Sequence, residues 1–166
     1  MKVAFLYRGT VTEYGDSIMM KCTNPVYNGK VYSPSSYNTM GLNSYGRNYN
    51  IRLIRYAEIL LIMAEDMVQG ATGEFISGMT AQTALDKVRA RVNLASVPAT
   101  LENIYDERRA ELCMEEDRFF DLVRTGRAVQ YMGPCGFKAN KNEVFPVPYA
   151  QRQLNPNLDP TPGYVY

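Results

Sequence analysis

Two carboxylates near the centre of the chain are spaced in a way that can support acid–base chemistry. Glu58 and Glu65 lie seven residues apart in a segment with the apolar period of a helix. Two turns of one helix place such side chains about 10 Å apart, and paired carboxylates can act as acid and base on a glycosidic bond. The alternative is that each is partly buried against an arginine, Arg108 or Arg89, and fixes how helices dock. We favour this structural interpretation, because nothing else in the sequence marks a nucleophile.

A second cluster of charged residues runs through residues 107–121. Arg108 and Glu111 are three residues apart and can meet on one face of a helix. Arg118 and Asp121 have the same spacing. A clamp of arginines for a phosphate or carboxylate group is one interpretation, because guanidinium groups bind such anions bidentately. Structural ion pairs are the favoured interpretation, because each arginine has an acid near enough to neutralise it.

Aromatic residues are concentrated in the first 50 residues, which hold seven of the thirteen tyrosines. Five of them stand among asparagine, serine and glycine: Tyr27, Tyr32, Tyr37, Tyr45 and Tyr49. Ring faces for stacking and amides for hydroxyl groups suit a surface that contacts sugars. The same side chains could instead pin an irregular segment to a core. The second interpretation is favoured, because the chain has no tryptophan, the usual large stacking platform.

The amino-acid composition argues against several other kinds of chemistry. The chain has no histidine, which is the commonest general base and metal ligand. Its three cysteines, Cys22, Cys113 and Cys135, are too few and too scattered for a disulfide framework and are interpreted as buried or incidental thiols. Glycine-rich phosphate loops and clusters of metal ligands are missing from the sequence. We therefore predict no catalytic residue, no metal site and no cofactor.

The charge and hydropathy patterns limit the partners and the location. With 18 basic and 17 acidic side chains, no net field attracts nucleic acid or anionic lipid. No apolar run approaches the roughly 20 residues that cross a bilayer. The N-terminus does not have a secretory pattern, because its short apolar stretch ends at Tyr7 and Arg8. Lys21 before Cys22 is wrong for a lipoprotein signal, so we expect any targeting signal to stand upstream of Met1 or to be absent.

Three stretches of the chain differ in composition. Residues 1–50 show no helical period and are predicted to be irregular, with one or two short strands, for example at residues 17–22. Residues 51–131 contain a single proline, Pro98, and most of the charge, which is typical of helices. Residues 132–166 carry most of the nine prolines and are predicted to form an extended tail.

The middle stretch is predicted to contain four helices, which makes the fold class mainly α. Thr80 and Thr100 are suitable N-caps, and Asn93 is suited to end the second helix. The first helix is apolar on more than half of its circumference, so we expect neighbours on both sides of it. Short connections imply antiparallel neighbours, that is, stacked helical hairpins of tetratricopeptide-like shape. The predicted bounds are about 52–68, 81–92, 101–115 and 117–130.

Several segments, taken together, resemble one family of proteins. Residues 54–65 read IRYAEILLIMAE and resemble the "RYAEvLLiyAEA" helix of SusD/RagB proteins. Residues 84–94 resemble the "AL..VR.RAGL" segment of that family, and residues 104–122 resemble its "I..ERR.EL.fEG.RffDL" segment. The sequences FPVP at residues 145–148 and NPNLDPTPGY at residues 155–164 resemble the family's ending. The segments occur in the order in which the family has them.

The resemblance covers residues 51–166 and carries expectations about function. It implies a largely helical, tetratricopeptide-like protein that a lipid anchors to the outer face of a Bacteroidetes-type outer membrane. It further implies a non-catalytic protein that caps a SusC-like TonB-dependent transporter and binds oligosaccharides or peptides. Family members are much longer, so the whole chain, residues 1–166, is expected to be a single C-terminal domain that does not include the lipid anchor. At Glu116 and Asn93 this sequence departs from glycines of the family, and no ligand-binding residue can be transferred.

Two other functions remain open at this stage. The first is a helical-repeat module that binds another protein and has no small-molecule ligand. The second is a glycosidase built on carboxylates such as Glu58 and Glu65. In the structural interpretation Glu58 is paired with Arg108, and Glu58→Ala then destabilises the fold.

The proline-rich tail carries one more expectation. Prolines at residues 145–164 leave few backbone donors for a ladder of hydrogen bonds within the tail. We therefore expect the tail to stay ordered by docking apolar side chains onto the helices, as a structural clamp without ligand contact. The side chains expected to dock are Phe145, Val147, Leu158 and Tyr164.

Overall fold

A computed structural model describes residues 4–37, 52–73 and 76–164 of the chain, which is divided into two units, Met1–Glu116 and Asp117–Tyr166. The described residues are mainly helical, which confirms the predicted fold class. The single domain over residues 1–166 stays a prediction. The elements are strands β1 (Phe5–Tyr7) and β2 (Val26–Asn28) and helices α1 (Tyr56–Val68), α2 (Ala81–Ala90), α3 (Leu101–Glu111), α4 (Arg118–Arg124), α5 (Ala128–Met132) and α6 (Tyr149–Leu154).

The core of the first unit is made by helices α2 and α3, which both pack against α1. Apolar residues three and four apart line the facing sides, so each helix buries one stripe. Each large side chain that leaves water there contributes about 1.5–3 kcal/mol. The buried cluster consists of Leu60, Leu61, Met63, Ala64, Ala84, Leu85, Val88 and Ile104.

Helix α1 is not covered on all sides by the described residues. Ile59 and Ile62 lie on its remaining flank and are 43 % and 39 % exposed. Before the helix, Leu53 and Ile54 are 85 % and 71 % exposed, and Tyr56 in its first turn is 61 % exposed. The expectation of neighbours on both sides of the helix is therefore met on one side only.

The starts of α2 and α3 follow from the threonines that precede them. The Thr80 hydroxyl accepts a hydrogen bond from the Thr83 amide, and the Thr83 hydroxyl accepts one from the Thr80 amide, so that the pair forms a capping box. The Thr100 side chain accepts from the Asn103 amide in the same way. Both predicted N-caps are confirmed. Helix α1 begins at Tyr56, four residues later than predicted, because Arg55 is in an extended conformation.

The ends of the helices are set by residues with a left-handed backbone. Asn93 has φ of 57°, and the Leu94 amide donates to the Arg89 carbonyl at 3.0 Å, which closes a Schellman motif. Helix α2 therefore ends at Ala90, close to the predicted boundary. Glu116 also has positive φ, 65°. At both positions the structure keeps the left-handed backbone that the glycines of the family would permit.

The N-terminal segment contains one short antiparallel pair, in which Leu6 is opposite Tyr27. The strand predicted at residues 17–22 is wrong. Only Ser17 takes part in pairing, as an isolated bridge to Val11, and the Cys22 amide then closes a turn by donating to the Met19 carbonyl at 3.0 Å.

In the second unit, the single helix predicted at residues 117–130 is wrong, because the structure has α4 and α5 in its place. Gly126 has φ of 69°, and the Arg127 amide donates to the Leu122 carbonyl at 2.9 Å. This left-handed turn ends α4 before α5 begins. The apolar period continues across the glycine, so the period alone does not reveal the break.

The prediction that the tail is extended throughout is wrong, because the tail contains helix α6. Its two ends are joined by hydrogen bonds, because the Val147 amide donates to the Thr161 hydroxyl at 3.0 Å and the Tyr164 hydroxyl donates to the Val144 carbonyl at 3.2 Å. Phe145 is less buried than expected. Its ring lies near the Phe119 ring of α4, but the residue is 77 % exposed. The clamp over the helical hairpins stays a prediction.

The left-handed turn after α3 predicts that substitution by glycine there stabilises the protein. Glu116→Gly is expected to raise the free energy of unfolding by about 1 kcal/mol, because glycine removes the steric cost of positive φ. Asp106→Gly, at an exposed position inside α3, is the control and is expected to lower it by about 1 kcal/mol. Urea titration of the two variants measures both changes. A loss of stability in Glu116→Gly would contradict the left-handed conformation.

Candidate functional site

The two central carboxylates have different environments. Glu65 is buried, with 3 % of its surface exposed, and its Oε1 accepts hydrogen bonds from Gln69 at 3.0 Å and from the Tyr105 hydroxyl at 3.4 Å. Glu58 is half-buried, and the described residues include no ion-pair partner for it. The predicted pairing of Glu58 with Arg108 or Arg89 is therefore wrong. The two carboxylates therefore differ in burial and in hydrogen bonding, although they lie on the same helix.

Arg89, one of the two arginines predicted to pair with these carboxylates, instead joins α2 to α3. Arg89 forms an ion pair with Glu107 at 2.5 Å, and its Nε donates to the Ala95 carbonyl at 2.7 Å. Glu107 is only 5 % exposed, so the pair lies in a poorly solvated place. Removing one partner of such a pair leaves a buried charge uncompensated, which makes Arg89 a packing residue.

Four charged side chains meet where α1 begins and α3 ends, and we call them the Arg55 network: Lys30, Arg55, Glu111 and Glu115. Arg55 binds Glu111 at 2.8 Å and Glu115 at 2.7 Å, and Lys30 binds Glu115 at 2.5 Å. Arg91 binds the other oxygen of Glu111 at 2.6 Å, so the predicted pair of Arg108 and Glu111 is wrong. Burial raises the pKa of Glu115, but hydrogen bonds from Arg55 and Lys30 outweigh it and hold the pKa below its usual range.

The predicted pair of Arg118 and Asp121 is confirmed in the second unit. The Arg118 Nη1 lies 3.7 Å from Asp121, whose other oxygen binds Arg124 at 2.8 Å. Asp121 is 3 % exposed, which makes it a structural acceptor at the start of α4. Arg118 and Arg124 are thus paired with one carboxylate, as the structural interpretation requires.

Two turns of the first unit carry exposed polar and aromatic groups close to one another. The first is a tight loop over residues 12–16, in which the Thr12 amide donates to the Asp16 carbonyl at 2.8 Å and the Gly15 amide donates to the Thr12 carbonyl at 3.0 Å. Gly15 has φ of 86°, which a side chain would make costly. The loop carries Tyr14 near its tip. The second turn is the 3-10 helix Ser35–Tyr37.

Asp16 joins the two turns. Its carboxylate accepts hydrogen bonds from the Ser35 amide at 2.9 Å, from the Ser35 hydroxyl and from the Tyr32 hydroxyl. The hydrogen bonds from Ser35 and then from Tyr32 hold the pKa of Asp16 below its usual range. Because the carboxylate belongs to one turn and Ser35 to the other, this one side chain fixes the distance between the turns.

Three tyrosines pack together above this carboxylate. The ring of Tyr14 lies 5.9 Å from that of Tyr37, with an interplanar angle of 62°, and 6.3 Å from that of Tyr32. Tyr14 and Tyr37 are 49 % and 65 % exposed, whereas Tyr32 is half-buried. We call Tyr14, Tyr32 and Tyr37, with Asp16 below them, the tyrosine platform. Edge-to-face packing holds the rings at an angle and leaves ring surface open to solvent.

The charged side chains that act on the hydroxyl groups of Tyr14 and Tyr32 are carboxylates. The carboxylate of Glu13 is the main reason that the pKa of Tyr14 is raised. Burial, followed by the hydrogen bond to Asp16, raises the pKa of Tyr32. Both hydroxyl groups therefore stay protonated at neutral pH and can donate hydrogen bonds.

The sequence interpretation found only part of this site. Tyr32 and Tyr37 belong to the tyrosine platform, whereas Tyr27 is half-buried, with its hydroxyl accepting from the Asn24 amide at 3.2 Å. Tyr45 and Tyr49 lie outside the described residues. Tyr14 was not proposed from the sequence. The signal that marks its loop is Gly15 with Asp16, a turn-forming pair between residues of higher β propensity.

Several other features carry no site within the described parts of the chain. Cys22 and Cys113 are half-buried and Cys135 is exposed, and all three are free thiols. Across residues 4–37, 52–73 and 76–164, histidine, cysteine, aspartate and glutamate side chains form no group of three that could hold a metal ion. In the same parts of the chain, every helix is too short or too polar to cross a membrane.

The fold and the site define a class of protein that is mainly helical, has an exposed aromatic surface and pairs its charged side chains internally. The sequence model of the SusD family matches residues 7–164, and the chain belongs to this family. The predicted family is thereby confirmed. Two curated relatives from Formosa agariphila are similar: SusD-like protein P38 is 31 % identical over 140 residues, which are 78 % of this chain, and SusD-like protein P2 is 32 % identical over 145 residues, or 75 % of it. The matched part is 28 % of the length of each relative.

Solved structures of the same kind match the fold. A laminarin binding SusD-like protein is 44 % identical, with a TM-score of 0.58, and the match covers 67 % of this chain and 22 % of that one. Surface glycan-binding protein A from Bacteroides thetaiotaomicron is 25 % identical, with a TM-score of 0.71, over 89 % of this chain and 32 % of that one. The same protein in complex with laminarihexaose gives a TM-score of 0.70.

The different environments of Glu65 and Glu58 predict different costs of truncation. Glu65→Ala removes the acceptor of the hydrogen bonds from Tyr105 and Gln69 and is expected to lower stability by about 2 kcal/mol. Glu58→Ala is the matched control on the same helix and is expected to cost less than about 0.5 kcal/mol. Thermal melts measure the two variants, with a drop of about 5 °C expected for Glu65→Ala alone. Equal melting temperatures would show that the buried position of Glu65 is wrong.

The bridging role of Asp16 predicts a local loosening of the two turns. Asp16→Asn is expected to speed exchange of the Ser35 amide hydrogen, because an amide is a weaker acceptor than a carboxylate. Asp106→Asn, an exposed aspartate on α3, is the control. Since folding lowers the pKa of Asp16, its stabilisation is present above the ordinary value of 3.8 and is lost as the pH falls through the folded-state pKa. Hydrogen-exchange mass spectrometry at several pH values checks both effects, and protection that ignores the substitution would contradict them.

Proposed function

We propose that this chain is part of a non-catalytic, glycan-binding protein of an outer-membrane uptake system. The observation that carries the proposal is the tyrosine platform on a chain that belongs to the SusD family. Two of the similar solved proteins are named for binding a glycan, and one was solved with laminarihexaose. Stacking of sugar rings on exposed aromatic faces is the physical basis of the binding.

The absence of catalysis belongs to the same proposal. Its support is that Glu65 is buried in hydrogen bonds and that Glu58 lies elsewhere on the helix surface. The carboxylate of Asp16 is occupied by Tyr32 and Ser35 and acts as a brace. A glycosidase would need a pair of carboxylates that face each other across a sugar.

The location and the transporter partner are proposed on the family alone. In the complete protein, a lipid is proposed to anchor the chain at the outer face of the outer membrane, beside a SusC-like TonB-dependent transporter. Because the match spans less than a third of the length of the curated relatives, both features are proposed for the whole protein. Proteolysis of intact cells tests the location, since a surface-exposed protein is cleaved while a periplasmic one is protected.

A second candidate function is binding to another protein through α1. It is favoured by the exposed apolar flank of Leu53, Ile54, Tyr56, Ile59 and Ile62. Apolar residues this exposed and this close together mark contact surfaces. The flank and the tyrosine platform lie on different segments of the first unit, so variants can address each surface separately.

The proposal predicts that substitution of one exposed ring removes glycan binding. Tyr37→Ala is expected to weaken binding of an oligosaccharide by about tenfold, because a desolvated ring face is lost from the site. The double variant Ile59→Gln and Ile62→Gln is the control and is expected to bind as the parent does. Isothermal titration with a panel of neutral hexasaccharides makes the measurement. A folded parent that binds no member of the panel would overturn the glycan function and leave the apolar flank as the functional surface.

A further inference from the structure

We infer that residues 4–37, which we call the N-terminal segment, unfold and refold locally while the core of α1, α2 and α3 stays folded, and that one polar joint controls this opening. The joint consists of the contacts that Asn28 and Lys30 make with residues 111–115. The inference does not depend on which ligand the protein binds. It is carried by the composition of the core, by the position of the contacts and by the arginine that holds their acceptors in place.

The N-terminal segment takes no part in the apolar core of the first unit. All members of the buried cluster, and the partly buried residues packed against it, lie between Ala57 and Ile104. Among the elements of the described residues, β1 packs against β2, and neither strand packs against a helix as closely as α2 packs against α1. A sheet of two short strands is at best marginally stable alone in water. The segment therefore depends on other contacts to stay folded.

Among the described residues, the hydrogen bonds that join the segment to the helical part of the first unit meet at the end of α3. The Lys30 Nζ donates to the Glu111 carbonyl and to the Glu115 Oε1, both at 2.5 Å. The Asn28 Nδ2 donates to the Met114 carbonyl at 2.6 Å. The side chains of Lys30 and Glu115 are 21 % and 18 % exposed, so loss of one partner leaves a charge in a poorly solvated place. Because Asn28 is the last residue of β2, the same contacts hold the strand pair.

The helix side of the joint is held independently of the segment. Arg55 binds Glu115 through its Nε at 2.7 Å and through its Nη2 at 2.8 Å, and it binds Glu111 through its Nη1 at 2.8 Å. These contacts fix the end of α3 without any contribution from residues 4–37. The acceptors therefore stay in place when the segment opens, and the segment meets the same site when it closes.

The tyrosine platform forms only in the closed state of the segment. Its four residues, Tyr14, Asp16, Tyr32 and Tyr37, all belong to the segment, and their mutual contacts are lost when the segment unfolds. The joint thus controls the fraction of molecules that carry the platform. The apparent affinity for any ligand of the platform is then reduced in proportion to the closed fraction.

Amide hydrogen exchange of the 166-residue chain, followed by NMR spectroscopy, tests the separate opening without any substitution. The hydrogen-bonded amides of Gly9, Ile18 and Gly29 report on the segment, and those of α2 report on the core. The three segment amides are expected to have similar protection factors, at least about tenfold lower than those of α2. Equal protection of the two regions would overturn the inference, whether or not any variant folds.

Two variants test whether the joint controls the opening. Glu115→Gln and Lys30→Met each remove one charge of the joint and are expected to lower the protection of the segment by about tenfold. Lys21→Met, at an exposed lysine of the same segment, and Glu102→Gln, at an exposed glutamate of α3, are the matched controls and are expected to exchange as the parent does. Unchanged protection of the segment in Glu115→Gln and Lys30→Met would overturn the role of the joint.

A variant of the core distinguishes local opening from unfolding of the whole unit. Ile104→Val removes one methylene group from the buried cluster and is expected to lower the protection of α2 by about fivefold. The segment is expected to keep the protection of the parent in this variant, because its opening leaves the core folded. An equal loss of protection in both regions would show that the segment opens only when the whole unit unfolds, which overturns the inference.

Discussion

The first unit depends on one half-buried cluster of charges, where Arg55 at the start of α1 binds the two glutamates at the end of α3. The end of α3 is thereby fixed to the start of α1. Arg91, which follows α2, also binds Glu111 and so brings the end of α2 to the same point. Lys30 brings the N-terminal segment to the same point through Glu115. Hydrogen bonds from Arg55 and Lys30 keep the pKa of Glu115 low despite its burial, so the network is complete at neutral pH and loses a charge as the pH falls through that pKa.

The backbone after α3 explains how two glutamates can serve one arginine. Met114 and Glu116 both have positive φ, 67° and 65°, so the chain turns sharply on either side of Glu115. That turn carries the side chain of Glu115 back toward the helix end, where Arg55 already binds Glu111. The Met114 carbonyl accepts from Asn28 at 2.6 Å, so the same turn also holds β2. Backbone strain at two residues is offset by charged contacts that it makes possible.

Features set by neighbouring residues could be predicted from the sequence, whereas those set by distant partners could not. Thr80 caps α2 through a residue three positions away, and the apolar period around Leu61 identifies its buried stripe. The glutamate partners of Arg55 lie 56 and 60 residues further along the chain, and nothing in the local pattern selects Arg55 over Arg108 as the partner of Glu111. The break at Gly126 could not be predicted from the apolar periodicity, because the periodicity contains no information about φ.

The tyrosine platform shows the same division at the level of function. Its residue types were visible, and Tyr32 and Tyr37 were proposed, but the ring geometry arises from a contact between Asp16 and Ser35, 19 residues apart. That contact uses the polar groups of the turns internally and leaves the aromatic faces of Tyr14 and Tyr37 to the solvent. A site organised in this way needs little ordering when a ligand binds, so the exposed ring surface contributes more of its stacking energy to affinity. The Arg55 network extends this rigidity from the turns to the helices, because Lys30 is only two residues from Tyr32.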